Sequence, residues 1–571
     1  MPRARWVLSI CCLLVPATGR AQLQRVDSLQ ILGAAHTAQS RFERERRQLL
    51  PLGGDPDGHL CETVVGRMCY WQEDETEQSM PEPRPIAVAR LSLISALTHL
   101  NAVSPGDNWI AGQRIRYTVE GGEDSAAIAV ARSCSPPRWY CKVLLGYALH
   151  ASERYADAAS AFDSALAQMP GAERCRWNDI SVLLDGDERD SYDRLPCGQR
   201  DSVEQRFWEL AQPSFAVAGN DRRTEHFSRV LVADLSEDAA NAYGLIWGPD
   251  MRELLIRYGE PLWYSNSWQQ PLAGPRTPIG HDKIPSFHFA AEMEGDSAHW
   301  DAHAHLARER YAPPYIDTLT ALDAQFAMMK RGDSALVVAV YAGSANDSSG
   351  SRVLLGVSGT VSDTAPPGPR HARVRRARAG WKGMMVAMEE FDPTRHSDSR
   401  AREWLAPPPH ARGAPDLSTL LLFSADSDAS VETLDEALTH ALTANELRGK
   451  RRLGLYWEVY SAAHDSAGVT PVPAISADSQ PIINDDSSSV LVTVVRTDGG
   501  MMRWLGDALH ITRRDSPLAV RWHDTRAGSG IAAHSVVLDL AQLPDGAYRV
   551  TVAVGSDDAH RTKVSREIKL R

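Results

Sequence analysis

The sequence AANAYGLIWGPDMRELLIRYGEPLWY, residues 239–264, divides this 571-residue chain into two halves with different patterns. Residues before it have helical spacing, whereas residues after it alternate as strands do. Within it, the apolar run Leu254–Ile256 predicts a buried strand, which Gly259–Pro261 ends because proline lacks an amide donor and glycine permits a turn. Trp263, Tyr264 and Trp268 follow and predict a core edge or, alternatively, an aromatic ligand groove.

Composition and charge exclude some classes of protein. Hydrophobic residues make up 43% of the chain and charged residues 23%, which is ordinary for soluble globular proteins. The length is too great for one core and predicts roughly three or four domains. The formal net charge is -12. Because an acidic chain repels phosphate, we expect no nucleic-acid partner.

The N-terminal residues have the pattern of an export signal. Arg3 and Arg5 supply the positive charge, Trp6–Val15 is a short apolar run, and Gly19 and Ala21 are small residues before a predicted cut after residue 21. The alternative, a retained anchor, needs a longer apolar run. We expect an exported protein, periplasmic or extracellular, with no transmembrane segment in the mature chain.

The cysteines are consistent with export. Of the eight, Cys11 and Cys12 lie in the leader, which leaves six within the first 200 residues. These form three close pairs: Cys61–Cys69, Cys134–Cys141 and Cys175–Cys197. An even number at local spacing predicts disulfides in an oxidising compartment, although the connectivity stays open. The alternative is a metal site, but no C-x2-C spacing occurs.

A repeat lies between about residues 85 and 170. Gly112 recurs as Gly146 and Ile128 as Phe162, a spacing of 34 residues in each case. This is the period of the tetratricopeptide repeat, and the copy from residue 139 resembles that family through Leu145, Gly146, Ala158, Phe162, Ala165 and Pro170. The alternative is a plain helical domain with chance periodicity.

The resemblance implies pairs of antiparallel helices. Gly146 and Ala158 would let the helices approach closely, Phe162 would fill the seam, and Pro170 would end the second helix. Stacked pairs form a concave groove. The resemblance therefore implies that the groove facing Gly146 and Leu149 binds a protein partner.

The opening stretch carries a second resemblance, to the GWxTD domain of secreted bacterial proteins. The matching residues are Trp247, Asp250, Tyr258, Gly259, Glu260 and Pro261. Ile246 and Pro249 replace the glycine and threonine of the family motif. The resemblance covers at most residues 220–330. It implies a strand ending in Tyr-Gly-x-Pro and no catalytic role.

Residues 281–305 are rich in histidine, and His303, His305 and Asp301 are candidate metal ligands because imidazole and carboxylate suit zinc. The alternative is an exposed loop, since no H-E-x-x-H motif is present. Nucleophile elbows are also absent: Gly356–Gly359 lacks the G-x-S-x-G spacing. We therefore predict no catalytic residue, no resident metal and no cofactor.

Four further segments predict helices: Gln24–Leu50, Asp201–Ala211, Arg222–Tyr243 and Glu432–Leu447. The charged run 41–47 in the first of them predicts a solvated helix face. Alternation predicts strands at 335–341, 353–361, 418–423, 453–460, 490–496, 518–522, 535–540 and 547–554. The arginines of 370–378 predict a solvated edge strand or, alternatively, a patch for anionic glycan or lipid.

The predicted fold is a multidomain α + β chain with an N-terminal α-helical repeat (TPR-like) domain, a mixed α/β middle domain and C-terminal β-sandwich-like modules. Its predicted segments are a signal peptide 1–21, a helix and disulfide loop 22–83, helical repeats 84–215, a GWxTD-like domain 216–330, a β-rich domain 331–470 and an immunoglobulin-like β-sandwich 471–571.

These observations predict a non-catalytic exported binding or scaffold protein of the bacterial cell envelope, which uses the helical-repeat groove for a protein partner. Two alternatives remain. One is a secreted hydrolase with its site in the histidine-rich loop 281–305 or the aromatic stretch. The other is a glycan-binding surface protein that uses tryptophan and tyrosine side chains of the β modules.

Overall fold

The computed structural model describes residues 17–51, 63–70, 81–184, 186–261, 263–266, 278–281, 313–343, 352–357, 360–365, 372–410, 414–425, 431–449, 451–460, 488–497, 518–524, 530–555 and 561–571. These residues form two compact units. The helical unit takes its residues from 1–208, 218–289 and 303–313, and the β-rich unit from 209–217, 290–302 and 314–571. Helices in the N-terminal half and sheets in the C-terminal half confirm a multidomain α + β chain.

The helices of the N-terminal half are α1 Ala17–Leu49, α2 Arg84–Val103, α3 Asn108–Glu120, α4 Asp124–Arg132, α5 Arg138–Ala151, α6 Tyr155–Gln168, α7 Gly171–Asn178, α8 Gly186–Asp193, α9 Asp201–Ala211, α10 Asp221–Glu237 and α11 Pro249–Tyr258. Two antiparallel strand pairs accompany them: β1 Thr63–Val65 with β2 Met68–Tyr70, and β3 Trp263–Asn266 with β4 Pro278–His281. The helices predicted at 24–50 and 201–211 are present, and the one predicted at 222–243 ends at Glu237.

The strand predicted at Leu254–Ile256 is wrong, because these residues lie in helix α11. Pro249 occupies the first turn, where its missing amide hydrogen costs nothing. The buried residues Met251, Leu255 and Tyr258 recur every three or four positions, which is the helical period. An apolar run of three residues is too short to separate a strand from a helix.

The solvated face predicted for residues 41–47 of α1 is wrong for part of this run. Phe42, Glu43 and Arg46 are buried, whereas Arg41 and Glu45 are exposed. The buried residues share one side of the helix, where α1 packs against α2. Charge alone did not reveal this side, because two of its members, Glu43 and Arg46, are themselves ionisable residues.

Helices α5 and α6 pack closely at the positions that the repeat pattern singled out. A Cβ atom on Gly146 would lie 2.9 Å from the ring of Phe162, so only glycine fits without movement there. Ala158 and Ala165 are fully buried. Helix α6 ends at Gln168, two residues before Pro170, and Leu145 is half-buried.

Helix α2 is apolar enough, and long enough, to cross a membrane by composition alone. It has 20 residues and contains an 18-residue window with a mean hydropathy of 1.5, of which 22% is buried. The expectation that the mature chain has no transmembrane segment therefore stays a prediction. In the structure α2 packs against α1 and α3 through Ile86, Leu93 and Leu97, as a helix of a soluble domain also does.

The β-rich unit contains β5 Thr318–Ala321, β6 Ala324–Arg331, β7 Ser334–Ala342, β8 Arg352–Val357, β9 Thr360–Ala365, β10 Ala372–Gly380, β11 Met384–Asp392, β12 Ser397–Leu405, β13 Asp416–Leu417, β14 Leu421–Ser424, helix α12 Leu434–Thr439, β15 Glu446–Leu447, β16 Arg452–Tyr460, β17 Ser488–Arg496, β18 Leu518–Asp524, β19 Ile531–Asp539, β20 Gly546–Gly555 and β21 Arg561–Leu570. Its sheets have the orders β10-β7-β6, β5-β12-β11-β8-β9, β13-β16-β14 with β19 beside β16, and β15-β21-β20-β17-β18.

Strand β7 explains why the run 335–341 is apolar at every position. Val337 and Ala339 face one core with residues of β8 and β11. Val338 and Val340 face a second core with residues of β14 and α12. Because both faces are covered, polar residues have no place on either side.

Several predicted strands have different bounds. The strand predicted at 353–361 is two antiparallel strands, β8 and β9. The segment 418–423 overlaps only β14, and 432–447 holds the short helix α12 followed by β15. Strand β10 carries the arginines of 372–380 at the edge of its sheet, as expected. On either side of residue 471, β16 and β19 pair in one sheet and share one core, so this position does not separate two cores.

Candidate functional site

An open groove between α1 and α2 is the first candidate site. It encloses about 500 Å³ and is lined by Ala38, Arg41, Phe42, Glu45, Arg84, Pro85, Val88, Ala89, Ser92, Leu93 and Ala96. Ala89, Ser92 and Ala96 follow one another at helical spacing along α2. Because their side chains are small, the wall that α2 forms on one side of the groove is low. Small side chains allow another backbone to approach closely.

The groove is bordered by apolar side chains that the chain leaves in water. Val88 is 55% exposed and Leu91, on the neighbouring stripe of α2, is 61% exposed. Arg41 and Arg84 are exposed at the groove, and Glu45 is the single acidic residue among its lining residues. The groove therefore combines apolar surface with an excess of positive charge.

The groove predicted from the repeat, facing Gly146 and Leu149, is occupied by helix α10. Gln113 on α3 donates to the Leu235 carbonyl at 2.7 Å. On α5, His150 Nε2 lies 2.6 Å from a carboxylate oxygen of Glu225. Leu149 is buried. No partner can reach this surface while α10 remains in place.

The motif residue Asp250 binds the hairpin β1–β2. Arg67, in the turn of that hairpin, places Nε 2.6 Å and Nη2 2.8 Å from the two carboxylate oxygens, and its amide donates to the same group at 3.1 Å. These hydrogen bonds from Arg67 lower the pKa of Asp250. Gly66 and Gly248 lie against Asp250 and leave no room for side chains. Trp247 beside them is half-buried and lines a shallow cavity of about 630 Å³.

The second half of the motif joins α11 to α10 and α3. Gly259, with φ +90°, ends α11, and its amide donates to the Leu255 carbonyl at 2.9 Å. Arg229 on α10 donates to the Arg257 carbonyl at 2.8 Å. Glu260 accepts from Arg116 of α3 at 2.6 Å. Tyr258 is buried and Pro261 is half-buried. Each polar motif residue thus has an intramolecular partner.

Loss of Asp250 should release the β1–β2 hairpin and leave the rest of the fold intact. In an Asp250→Ala variant we expect faster amide hydrogen exchange in residues 63–70 with little change in global stability, because Arg67 is half-exposed and solvent screens its charge. Hydrogen-exchange mass spectrometry measures both regions. Glu253→Gln, on the same helix, is the control. Unchanged exchange in 63–70 would contradict the role assigned to Asp250.

A buried ion-pair cluster, absent from the sequence-based site, joins α1, α2 and α3. Arg46 Nη1 lies 3.0 Å and Arg90 Nη2 2.9 Å from the same oxygen of Glu120. Arg90 also pairs with Glu82. The Arg46 guanidinium lies 4.5 Å above the ring of Tyr264. The sequence signal for it was the position of Arg46 on the same helix side as Phe42.

The remaining predicted sites lie partly outside the described residues. His303, His305 and Asp301 do so entirely, as does Cys61, whereas Cys69 lies in β2. The pairs Cys134–Cys141 and Cys175–Cys197 have S–S distances of 2.07 and 2.06 Å and are compatible with the predicted disulfides. Among the described residues, no group of three or more histidine, cysteine or acidic side chains is placed to hold a metal ion.

Comparison with family models and with characterised protein sequences adds no relative. No family model matches the chain. No characterised protein matches its sequence either. The resemblances to the tetratricopeptide repeat and to the GWxTD domain therefore depend on the residues quoted above.

Proposed function

We propose that this chain is a non-catalytic binding or scaffold protein of the bacterial cell envelope, exported after removal of residues 1–21. Its helices would be tetratricopeptide-like and its C-terminal sheets immunoglobulin-like. The partner is a protein that presents an amphipathic helix with acidic residues along its edges. The open groove between α1 and α2 carries this proposal.

Three features of the groove favour a helix as its occupant. Two helices with small residues between them form a trough into which a third can pack ridge into groove. Helix α10 already occupies the groove predicted from the repeat, where it packs against α3 and α5. Arg41 and Arg84 would pair with acidic residues at the edges of the bound helix, and Val88 would contact the apolar stripe of that helix.

Other features support binding over catalysis and export over retention inside the cell. The polar residues of the GWxTD-like motif are engaged in contacts within the chain, so they are not free for substrate. Two cysteine pairs at bonding distance suit an oxidising compartment.

The proposal predicts charge-selective binding of a model helix. The probe is a fluorescent amphipathic peptide of about 20 residues, with a Leu/Ala stripe and Glu flanks, beside a version with Lys flanks. The Glu peptide should bind the full mature chain more tightly than the Lys peptide. Val88→Asp should weaken binding about tenfold or more, since it puts a charge into the apolar groove and repels the acidic edges.

The matched control is Val103→Asp, which places the same charge on α2 at a site 68% exposed and outside the groove. Its peptide affinity should equal that of the parent chain, and circular dichroism should show both variants folded. Equal binding by the two variants, or by the two peptides, would overturn the proposal. Concentration-dependent self-association lost in Val88→Asp alone would instead identify a second copy as the occupant. Binding only to anionic vesicles would identify a membrane.

A further inference from the structure

A segment of the β-rich unit, residues 209–217, is held across the sheet that contains β11 and β12. In sequence this segment, termed the strap, lies between stretches of the helical unit. The ring of Phe215 lies where a Cβ of Gly356 on β8 would be, so the glycine makes room for it. The strap is thus seated directly on the sheet.

One buried carboxylate holds the centre of the strap. Glu389 Oε2 accepts from the Ser214 hydroxyl at 2.9 Å and from the Phe215 amide at 2.6 Å. Its other oxygen lies 2.6 Å from Arg402 Nη2, and both side chains of this pair are fully buried. Removal of the charge on Glu389 would weaken its hydrogen bonds with the strap amide and with the Arg402 guanidinium.

Two arginines hold the carbonyl groups of the same strap. Arg402 donates to the Gln212 carbonyl at 2.5 Å, and Arg400 donates to the Pro213 carbonyl. The Arg402 guanidinium also lies 4.6 Å from the ring of Phe215. The two arginines therefore interact with the carbonyl groups of the strap and with the acidic residues of the sheet at the same time.

Asp398 is a second carboxyl group on this buried face. Alternation along β12 puts Asp398, Arg400 and Arg402 on one side, and in the ladder Arg400 lies opposite Glu389 of β11. Asp398 is completely buried. Burial, followed by the nearby charge of Glu389, raises the pKa of Asp398 to about 7, against the opposing influence of Arg400 and Arg402. The group therefore changes charge near neutral pH.

We propose that the strap is a pH-sensitive latch, closed while Asp398 is neutral and loosened when Asp398 ionises beside Glu389. The ionised Asp398 competes with Glu389 and the strap carbonyls for the two arginines. The facing groups are Glu389 from β11, Arg400 and Arg402 from β12 and Ser214 from the strap. A carboxyl whose pKa is raised on folding favours the folded site below that pKa, and this contribution is lost as pH rises through it. This latch is independent of the α1–α2 groove.

Hydrogen exchange of residues 209–217 in the full mature chain tests the latch. After correction for intrinsic exchange, protection of the strap should fall about tenfold between about pH 6 and about pH 8, while peptides from β17 and β20 should change little. In Asp398→Asn, which keeps the shape without the charge, the strap should stay protected at both values. Asp333→Asn, in the exposed turn between β6 and β7, should behave as the parent chain does.

Protection of the strap that is independent of pH in the parent chain overturns the proposal, and this needs no variant. A pH dependence that persists in Asp398→Asn overturns the assignment to Asp398. Ser214→Ala should loosen the strap at both pH values, since it removes one donor to Glu389. A strap that is unchanged in Ser214→Ala would contradict the contact on which the latch depends.

Discussion

A chain with glutamine in place of Glu120 should lose about 3–5 kcal/mol of unfolding free energy from its helical unit. Arg46 and Arg90, both mostly buried, place guanidinium nitrogens at 3.0 and 2.9 Å from one oxygen of Glu120. Glutamine keeps the shape but removes the charge, so two guanidinium groups remain in low dielectric with too few acidic partners. Burial alone would disfavour the carboxylate, but the arginines outweigh it and lower the pKa of Glu120.

Urea unfolding followed by helical circular dichroism measures this loss. Glu123→Gln, three residues further along and exposed, is the matched control and should change stability by less than about 0.5 kcal/mol. Because the pKa of Glu120 is lowered, its contribution is present above the ordinary glutamate pKa and lost in stronger acid. The difference between parent and variant should therefore shrink as pH falls below about 4. Equal stability of the two variants at neutral pH would show that the cluster contributes nothing.

Truncation of Phe162 to alanine is expected to cost about 3–5 kcal/mol. The ring is 1% exposed and lies within contact of Gly146 on α5 and beside Phe227 of α10, with ring centroids 5.2 Å apart. Three helices meet at this side chain. A glycine facing it cannot fill the space, so a cavity should persist.

The measurement is the midpoint of thermal and urea unfolding for the helical signal. Gln168→Ala, at the exposed end of the same helix, controls for the change in helix propensity. Phe162→Leu should recover part of the loss, since it restores apolar volume. A loss of unfolding free energy below about 1 kcal/mol for Phe162→Ala would mean that the three helices move together and fill the cavity. The close α5–α6 packing would then contribute little to stability.

Local pattern was enough to predict a good part of this fold. The repeat resemblance implied that Gly146 and Phe162 lie at the seam between two helices, and in the structure the two are in close contact. Short runs of strand-forming residues located β7, β16 and β20. These features depend on neighbours in sequence or on one face of an element, and period alone encodes which face is buried.

Sequence pattern predicted the wrong structure where an apolar run was short and where a charged residue is buried. Three apolar residues at Leu254–Ile256 fit either period, and the first turn at Pro249 decided in favour of a helix. Arg46 belongs to a charged run, but it pairs with Glu120 inside the unit. Ion pairs across helices follow from the meeting of distant segments, which spacing does not describe.

The sequence by itself determined the helix-then-strand order, the α5–α6 contact and the basic edge strand β10. Only the tertiary structure decided which surfaces remain free: α10 covers the predicted groove, and the groove between α1 and α2 stays open. It alone brought Arg67 to Asp250 and Ser214 to Glu389, residues 183 and 175 positions apart. The physical reason is that periodicity specifies that a face must be buried, whereas the long-range partner that buries it is chosen by packing and charge together.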